Sequence, residues 1–228
     1  MRKICFLGLS GSGKTCYLYA ASHLLHNGIQ TSVGTVSILC ADSGWSSELN
    51  EGFKEMDGKC PVWPKGTDKG RTKYFPYELY IGGEKKLEFE ICDYRGGVFK
   101  ETNDEARYEK NTLYENSNCI VVFIDAYTLI PAFKLKNEES VSQVYMRGNL
   151  EKKSYSDAIS ELNHLKVIIN EARRNISQDT PILLVITKKD ILLEDELKDA
   201  INKLKSHMNI FFSEETPNPV GITAISLG

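Results

Sequence analysis

The chain has 228 residues, 41% of them hydrophobic and 26% charged, and a formal net charge of −3 at pH 7. Those values are typical of a globular protein with one sizeable core, and they indicate no basic surface for nucleic acid or an acidic membrane. No apolar run reaches the roughly 20 residues of a membrane-spanning helix, and the six scattered cysteines form no CxxC pair. We therefore expect a cytoplasmic protein with reduced thiols, no signal peptide, and neither nucleic acid nor membrane as a partner.

The first predicted strand, residues 4–7, leads into GLSGSGKT and then into a predicted helix over residues 15–26. The stretch GLSGSGKT fits G-x-x-x-x-G-K-[ST], a loop whose backbone N–H groups cradle phosphates at a helix N-terminus. Lys14 is expected to reach the β- and γ-phosphates, and the Thr15 hydroxyl to bind Mg²⁺. The expected nucleotide contacts in this loop are Gly8, Ser10, Gly11, Ser12, Gly13, Lys14, Thr15 and Cys16.

Two segments then interrupt the alternation of strands and helices. Residues 36–70 are predicted as an insertion with a strand at 36–41, a short helix at 47–56 and a turn-rich remainder. Residues 74–92 alternate apolar and polar side chains around Gly82-Gly83, which predicts a β-hairpin. The sheet should therefore carry one antiparallel edge.

The hairpin ends in EICDYRGG, where Asp93 closes a strand and Gly96 completes the pattern D-x-x-G. A carboxylate at the tip of a strand beside a phosphate-binding loop can hold a Mg²⁺ water, and the Gly96 amide can meet a γ-phosphate. Thr15 and Asp93 are therefore the expected metal ligands, with an aspartate before a plain turn as the alternative. Arg95 can supply positive charge to the site or, as the preferred interpretation, meet a partner.

The rest of the chain returns to alternating elements. Predicted helices cover residues 103–116, 154–175 and 194–208, predicted buried strands cover 119–124, 182–186 and 220–225, and a polar insertion covers 127–153. Apolar runs separated by amphipathic helices are typical of strands covered on both faces. The sequence thus predicts a single α/β domain over residues 1–228 with a doubly wound, mostly parallel sheet.

The strand at 182–186 is followed by TKKD, which resembles the guanine-reading [N/T]-K-x-D motif of Ras-like and translation-factor GTPases. An aspartate here, Asp190, can accept hydrogen bonds from guanine N1–H and the 2-amino group, donors that adenine lacks. The last strand contains GITAIS, which resembles the [S/T]-A motif beside guanine O6, with Ser226 as the alternative if the register shifts. The expected base contacts are Thr187, Lys188, Asp190, Thr223 and Ala224.

The order of these motifs over most of the chain resembles the P-loop GTPases of the translation-factor-related (TRAFAC) class, and the irregular segment before the hairpin is similar to bacterial double-GTPase domains. The resemblance implies GTP or GDP and Mg²⁺ as cofactors, switching with slow or partner-assisted GTP hydrolysis, and an unidentified effector or activator. It also implies a switch threonine on Mg²⁺ before the hairpin. The candidates are Thr67, Thr72 and Thr35, of which Thr67 is preferred by its position.

Three features depart from that class. Thr187 replaces the commoner Asn, and Gly97 stands where Ras-like enzymes place the Gln that orients the attacking water. Arg95 or Glu101 could replace that Gln, or a partner could supply an arginine. The usual final helix does not follow the last strand, which would leave one face of the sheet to residues 127–153, to a partner or to a longer polypeptide.

Two other functions remain open from the sequence. A P-loop kinase or ATPase would not need TKKD and would need an arginine-rich lid, which the sequence does not contain in an obvious form. A pseudo-GTPase would hold nucleotide without hydrolysing it, an interpretation that Gly97 favours.

Overall fold

The computed structural model describes residues 1–59, 62, 64, 72–94, 104–115, 117–135, 153–212 and 218–226. Among these residues, eight strands form one sheet in the order β2-β3-β4-β5-β1-β6-β7-β8. The strands are β1 Arg2–Gly8, β2 Ile29–Thr31, β3 Gly34–Cys40, β4 Lys73–Ile81, β5 Glu84–Asp93, β6 Cys119–Asp125, β7 Ile182–Thr187 and β8 Val220–Ala224.

The sheet has a parallel part and an antiparallel edge, which confirms the predicted fold class. β5, β1, β6, β7 and β8 pair in parallel, whereas β2, β3 and β4 pair with their neighbours antiparallel. The edge is wider than the predicted hairpin, because β3 pairs along β4 and β2 pairs along β3. The strand predicted at 36–41 therefore belongs to the main sheet.

Six α-helices connect or flank the strands in the described part of the chain. They are α1 Lys14–His26, α2 Ser43–Met56, α3 Asp104–Tyr114, α4 Ala126–Phe133, α5 Tyr155–Asn175 and α6 Glu194–His207. α2 begins four residues before the predicted start at 47, because the Asp42 side chain accepts a hydrogen bond from Trp45 N at 2.9 Å and caps the helix there. α4 lies within the predicted polar insertion, whose residues 136–152 lie outside the described ones.

The core has two layers on opposite faces of the sheet. Side chains of one strand alternate between them, since Cys5 and Leu7 belong to the larger cluster and Phe6 to the smaller one. The larger cluster packs against α3, α4, α5 and α6, and the smaller one against α1 and α2. α4 therefore does not cover the α1 face, where Cys119 and Leu183 remain half-buried.

No helix in the described ranges is both long enough and apolar enough to cross a bilayer.

Candidate functional site

The loop between β1 and α1 needs glycine at defined positions. Gly8, Gly11 and Gly13 have φ angles of 142°, 79° and 84°, in the region that side chains rarely adopt. A Cβ at Gly8 would also lie 2.7 Å from the carbonyl oxygen of Phe123. Gly13 is the N-cap of α1, so the loop leads directly into the helix N-terminus.

Lys14 is the first residue of α1, and its side chain folds back onto this loop. Its side chain is buried, and Nζ donates to the carbonyl oxygens of Gly8 at 3.0 Å and Leu9 at 3.1 Å. Burial lowers the pKa of Lys14 to about 8, while the nearby charge of Asp93 acts in the opposite direction. Lys14 thus holds its ammonium against the backbone of the loop, and its contact with the β- and γ-phosphates stays a prediction.

Thr15 and Asp93 are in direct contact. β1 and β5 are parallel neighbours with Phe6 opposite Asp93, which brings the end of β5 beside the start of α1. Thr15 Oγ1 donates to Asp93 Oδ2 at 2.8 Å. Asp93 is 1% exposed, and burial raises the pKa of its carboxyl, although Lys14 and the Thr15 hydroxyl lower it.

The other oxygen of Asp93, Oδ1, is buried and accepts no hydrogen bond from the residues that the structure describes. A buried carboxylate oxygen without a partner, next to a hydroxyl, matches the hard oxygen ligands that Mg²⁺ prefers. The side chains of Thr15 and Asp93 therefore fit a Mg²⁺ ion or one of its waters.

The TKKD segment contacts the phosphate-binding loop. Thr187 Oγ1 donates to the carbonyl oxygen of Ser12 at 3.0 Å and lies 3.3 Å from that of Ile124. Lys188 Nζ is 3.4 Å from the carbonyl oxygen of Gly11 and forms an ion pair of 2.7 Å with Asp125 Oδ2. Asp125 was missed by the sequence analysis, although an acidic residue at the end of a buried strand was a usable signal.

Asp190 is exposed and contacts the chain just beyond β8. Ser226 Oγ donates to Asp190 Oδ1 at 2.6 Å. Thr223 and Ala224 lie inside β8, where they pair with Val185 and Ile186 of β7. Ser226, the alternative position in GITAIS, is thus the residue that meets Asp190, and the contacts of Thr223 and Ala224 with the base stay a prediction.

The three switch-threonine candidates have different positions. Thr35 lies in β3, and its carbonyl oxygen accepts from Gly82 N at 2.9 Å, in the turn between β4 and β5. Asp93 is at the far end of β5, about 30 Å away along the strand. This distance excludes Thr35 as a ligand of an ion held by Asp93. Thr72 directly precedes β4, whose Lys73 is paired with Asp93. Thr67 lies outside the described residues, and so do Arg95, Gly96, Gly97 and Glu101.

The sheet order, the glycine-rich loop, the Thr15–Asp93 contact and the adjoining TKKD segment together define a P-loop GTPase-like domain. The family model Double-GTPase 2 matches residues 2–218, and the chain belongs to this family. No curated protein matches the chain significantly.

Similar solved structures share low sequence identity with the chain. The ADP-ribosylation-factor-like GTP-binding protein, or small COPII coat GTPase SAR1, from Encephalitozoon cuniculi in complex with GDP is 12% identical with a TM-score of 0.41 over 99% of this chain and 69% of that one. Translation elongation factor SelB from Methanococcus maripaludis with the GTP analogue GppNHp is 12% identical, with a TM-score of 0.46. A structure of sup35 with GDP is 13% identical, with a TM-score of 0.43. The matches to SelB and sup35 include 99% of this chain, but only 30% of the SelB chain and 37% of the sup35 chain.

Proposed function

We propose that the protein is a Mg²⁺-dependent GTP-binding protein that acts as a molecular switch and hydrolyses GTP slowly or with the help of a protein partner. The observation that carries this proposal is the direct link between the two halves of the site. The hydroxyl of Thr187, which begins TKKD, donates to Ser12 in the phosphate-binding loop. A base read by Asp190 would thus belong to the nucleotide whose phosphates lie on Gly8–Lys14.

Each half has a distinct role in the proposal. The backbone of the glycine-rich loop and Lys14 would bind the β- and γ-phosphates, and Thr15, Asp93 and Thr67 would hold Mg²⁺. An ion held there would supply positive charge beside the phosphate oxygens. Asp190 accepts from the guanine ring, and the stem of Lys188 lies over the base.

The hydrolytic step and the switch depend on the segments around D-x-x-G. Gly97 has no side chain to orient a water, so we expect weak hydrolysis by the chain alone. Arg95, or an arginine from a partner, would supply charge to the γ-phosphate, a contribution of about 10³–10⁵ in rate where it is known. The Gly96 amide would sense the γ-phosphate. Segments 60–73 and 94–102 would be ordered by the γ-phosphate and would relax when it is lost.

Calorimetric titration of the nucleotide-free chain with GDP, GTP and ATP in Mg²⁺, followed by a phosphate-release assay, tests the proposal. We expect binding of GDP and GTP, little or no binding of ATP, and slow release of phosphate. The Lys14→Ala control should lose nucleotide binding. ATP affinity equal to that for GTP would instead favour an ATPase or kinase, and tight guanine binding with no hydrolysis, even with partners, would favour a pseudo-GTPase.

A further inference from the structure

We infer that Asp125, at the end of β6, is a positioning residue for base recognition: by holding Lys188, it fixes the backbone that presents Asp190. This inference rests on the proposed guanine-nucleotide function. It assigns a role to a side chain outside the phosphate-binding loop, outside TKKD and outside the last strand.

Both oxygens of the Asp125 carboxylate are engaged. Oδ2 pairs with Lys188 Nζ at 2.7 Å, and Oδ1 accepts from Tyr127 N at 3.0 Å, which caps the N-terminus of α4. The Asp125 side chain is 14% exposed, so this ion pair is better shielded from water than an ordinary surface pair. Asp125 is thereby fixed by a helix on one side and directs a charge toward TKKD on the other.

The backbone of Lys188 explains why such a contact is needed. Lys188 has φ 56° and ψ 39°, a left-handed conformation that is unfavourable for a residue with a Cβ. It is the N-cap of the short 3-10 helix Lys189–Ile191, which contains Asp190. The conformation of Lys188 therefore sets the direction in which the chain leaves β7 and enters the 3-10 helix that carries Asp190.

Side-chain contacts hold Lys188 in that conformation. Besides the ion pair with Asp125, its ammonium is 3.4 Å from the carbonyl oxygen of Gly11 and 5.0 Å from the centre of the Tyr127 ring. Asp125 supplies the full negative charge among these contacts. Since Asp125 is also the strand partner of Thr187, it lies directly beside the start of TKKD.

These contacts predict a selective effect when the charge is removed. Without the ion pair, Lys188 can leave the left-handed conformation, and the carboxylate of Asp190 no longer points in a fixed direction. Hydrogen bonds to the guanine N1–H and 2-amino group should weaken, whereas the phosphate contacts of Gly8–Lys14 should remain. The ratio of the affinities for GDP and IDP measures the contact with the 2-amino group, because inosine lacks that group.

The test variant is Asp125→Asn in the full chain. Asparagine caps helices about as well as aspartate, so α4 should stay capped while the charge is lost. We expect GDP affinity to fall about tenfold, on the scale of one charge-assisted hydrogen bond. The preference for GDP over IDP should shrink. The affinity for inorganic pyrophosphate should equal that of the wild type. Asp125→Ser, which also caps without charge, provides a second variant if Asp125→Asn folds poorly.

Asp42→Asn is the matched control, since Asp42 caps α2 through Trp45 N in the same way and pairs with no lysine in the described contacts. It should leave both nucleotide affinities unchanged. A wild-type preference for GDP over IDP in the Asp125 variants would overturn the inference, as would an equal loss for GDP, IDP and pyrophosphate. Equal binding of ADP and GDP by the wild type would overturn the proposed function itself, independently of any variant.

Discussion

The hydroxyl of Thr187 donates a hydrogen bond to the carbonyl oxygen of Ser12 at 3.0 Å, across 175 residues of sequence. The neighbouring Gly13 also lies beside Thr187, since a Cβ built on Gly13 would be in ordinary van der Waals contact with Thr187 Cβ at 3.6 Å. Thr187 is 1% exposed, so the contact is shielded from water. Threonine at this position therefore ties the two loops together, although the commoner residue of the motif is asparagine.

Removing this hydroxyl at constant size should weaken the whole site. In Thr187→Val, the buried carbonyl of Ser12 loses this donor, which should cost about 1–3 kcal/mol of unfolding free energy. GDP affinity should fall as well, by about tenfold for each 1.4 kcal/mol that the bound state loses. Urea unfolding and calorimetric titration measure the two effects. Thr187→Ser retains the hydroxyl and should behave like the wild type; a Val variant that binds GDP normally would contradict the role of this bond.

Base choice should depend on Asp190. In Asp190→Asn, the amide offers a donor where xanthine has a carbonyl, so the preference should shift from GTP toward XTP. Competition between GDP and XDP on the purified variant measures the shift. Ser226→Ala is a useful companion, because Ser226 donates to Asp190 Oδ1 at 2.6 Å and should tune affinity without changing base choice. An unchanged preference in Asp190→Asn would remove base reading from this residue.

Magnesium dependence should depend on Thr15. In wild-type protein, chelating Mg²⁺ with EDTA should weaken GTP binding markedly. Thr15→Val should bind GTP weakly with or without Mg²⁺, and it should also be less stable by about 1–3 kcal/mol, because the buried carboxylate of Asp93 loses the hydroxyl that donates to it. Thr15→Ser retains the donor as a control. If Thr15→Val still responds to EDTA like the wild type, the ion does not depend on this hydroxyl.

The sequence predicted the strand, loop and helix around GLSGSGKT because that information is local. The spacing of GLSGSGKT alone specifies a strand, a loop and a helix N-terminus, and Asp93 closes a strand whose alternating side chains are recognisable in the sequence. Only the adjacency of β1 and β5 had to be assumed for Thr15 and Asp93 to meet, and the doubly wound fold supplies it.

Other features depend on information that a local pattern does not contain. β2 is three residues long with all of its side chains exposed, so it has no hydrophobic signal. α4 contains Pro131, a residue that disfavours a helix interior, and most of α4 lies in a segment predicted as a polar insertion. Both features hide this helix from a prediction based on sequence. The Asp125–Lys188 pair joins residues 63 apart, and its prediction requires that β6 and β7 be neighbours.

The packing of α1 on α2 gives a stability prediction of unusual sign. Gly52 of α2 lies on the ring of Tyr19 of α1, and a Cβ there would be 2.2 Å from Tyr19 Cε2. Glycine to alanine in a helix normally stabilises by about 0.5–1 kcal/mol, but Gly52→Ala should destabilise by about 1–3 kcal/mol through overpacking. Urea denaturation of Gly52→Ala, alone and in a Tyr19→Leu background, separates the gain in helix stability from the cost of overpacking. The penalty should disappear with the smaller side chain, and an equal penalty in both backgrounds would contradict the close contact.

A pH-dependent component of stability should come from His207, in the last turn of α6. Its Nε2 is buried with no hydrogen-bond partner among the described residues, and its ring lies edge-on to Phe133 at 6.3 Å. Burial, and then the charge of Lys166, lower the pKa of His207. The unfolded chain therefore binds this proton more readily, so the contribution of neutral His207 to stability is present above about pH 6.5 and is lost as the pH falls. Between pH 7.5 and 5.5, urea unfolding should show a larger loss of unfolding free energy for the wild type than for His207→Gln. Equal losses in the two proteins would show that His207 has the same pKa in the folded and unfolded chain.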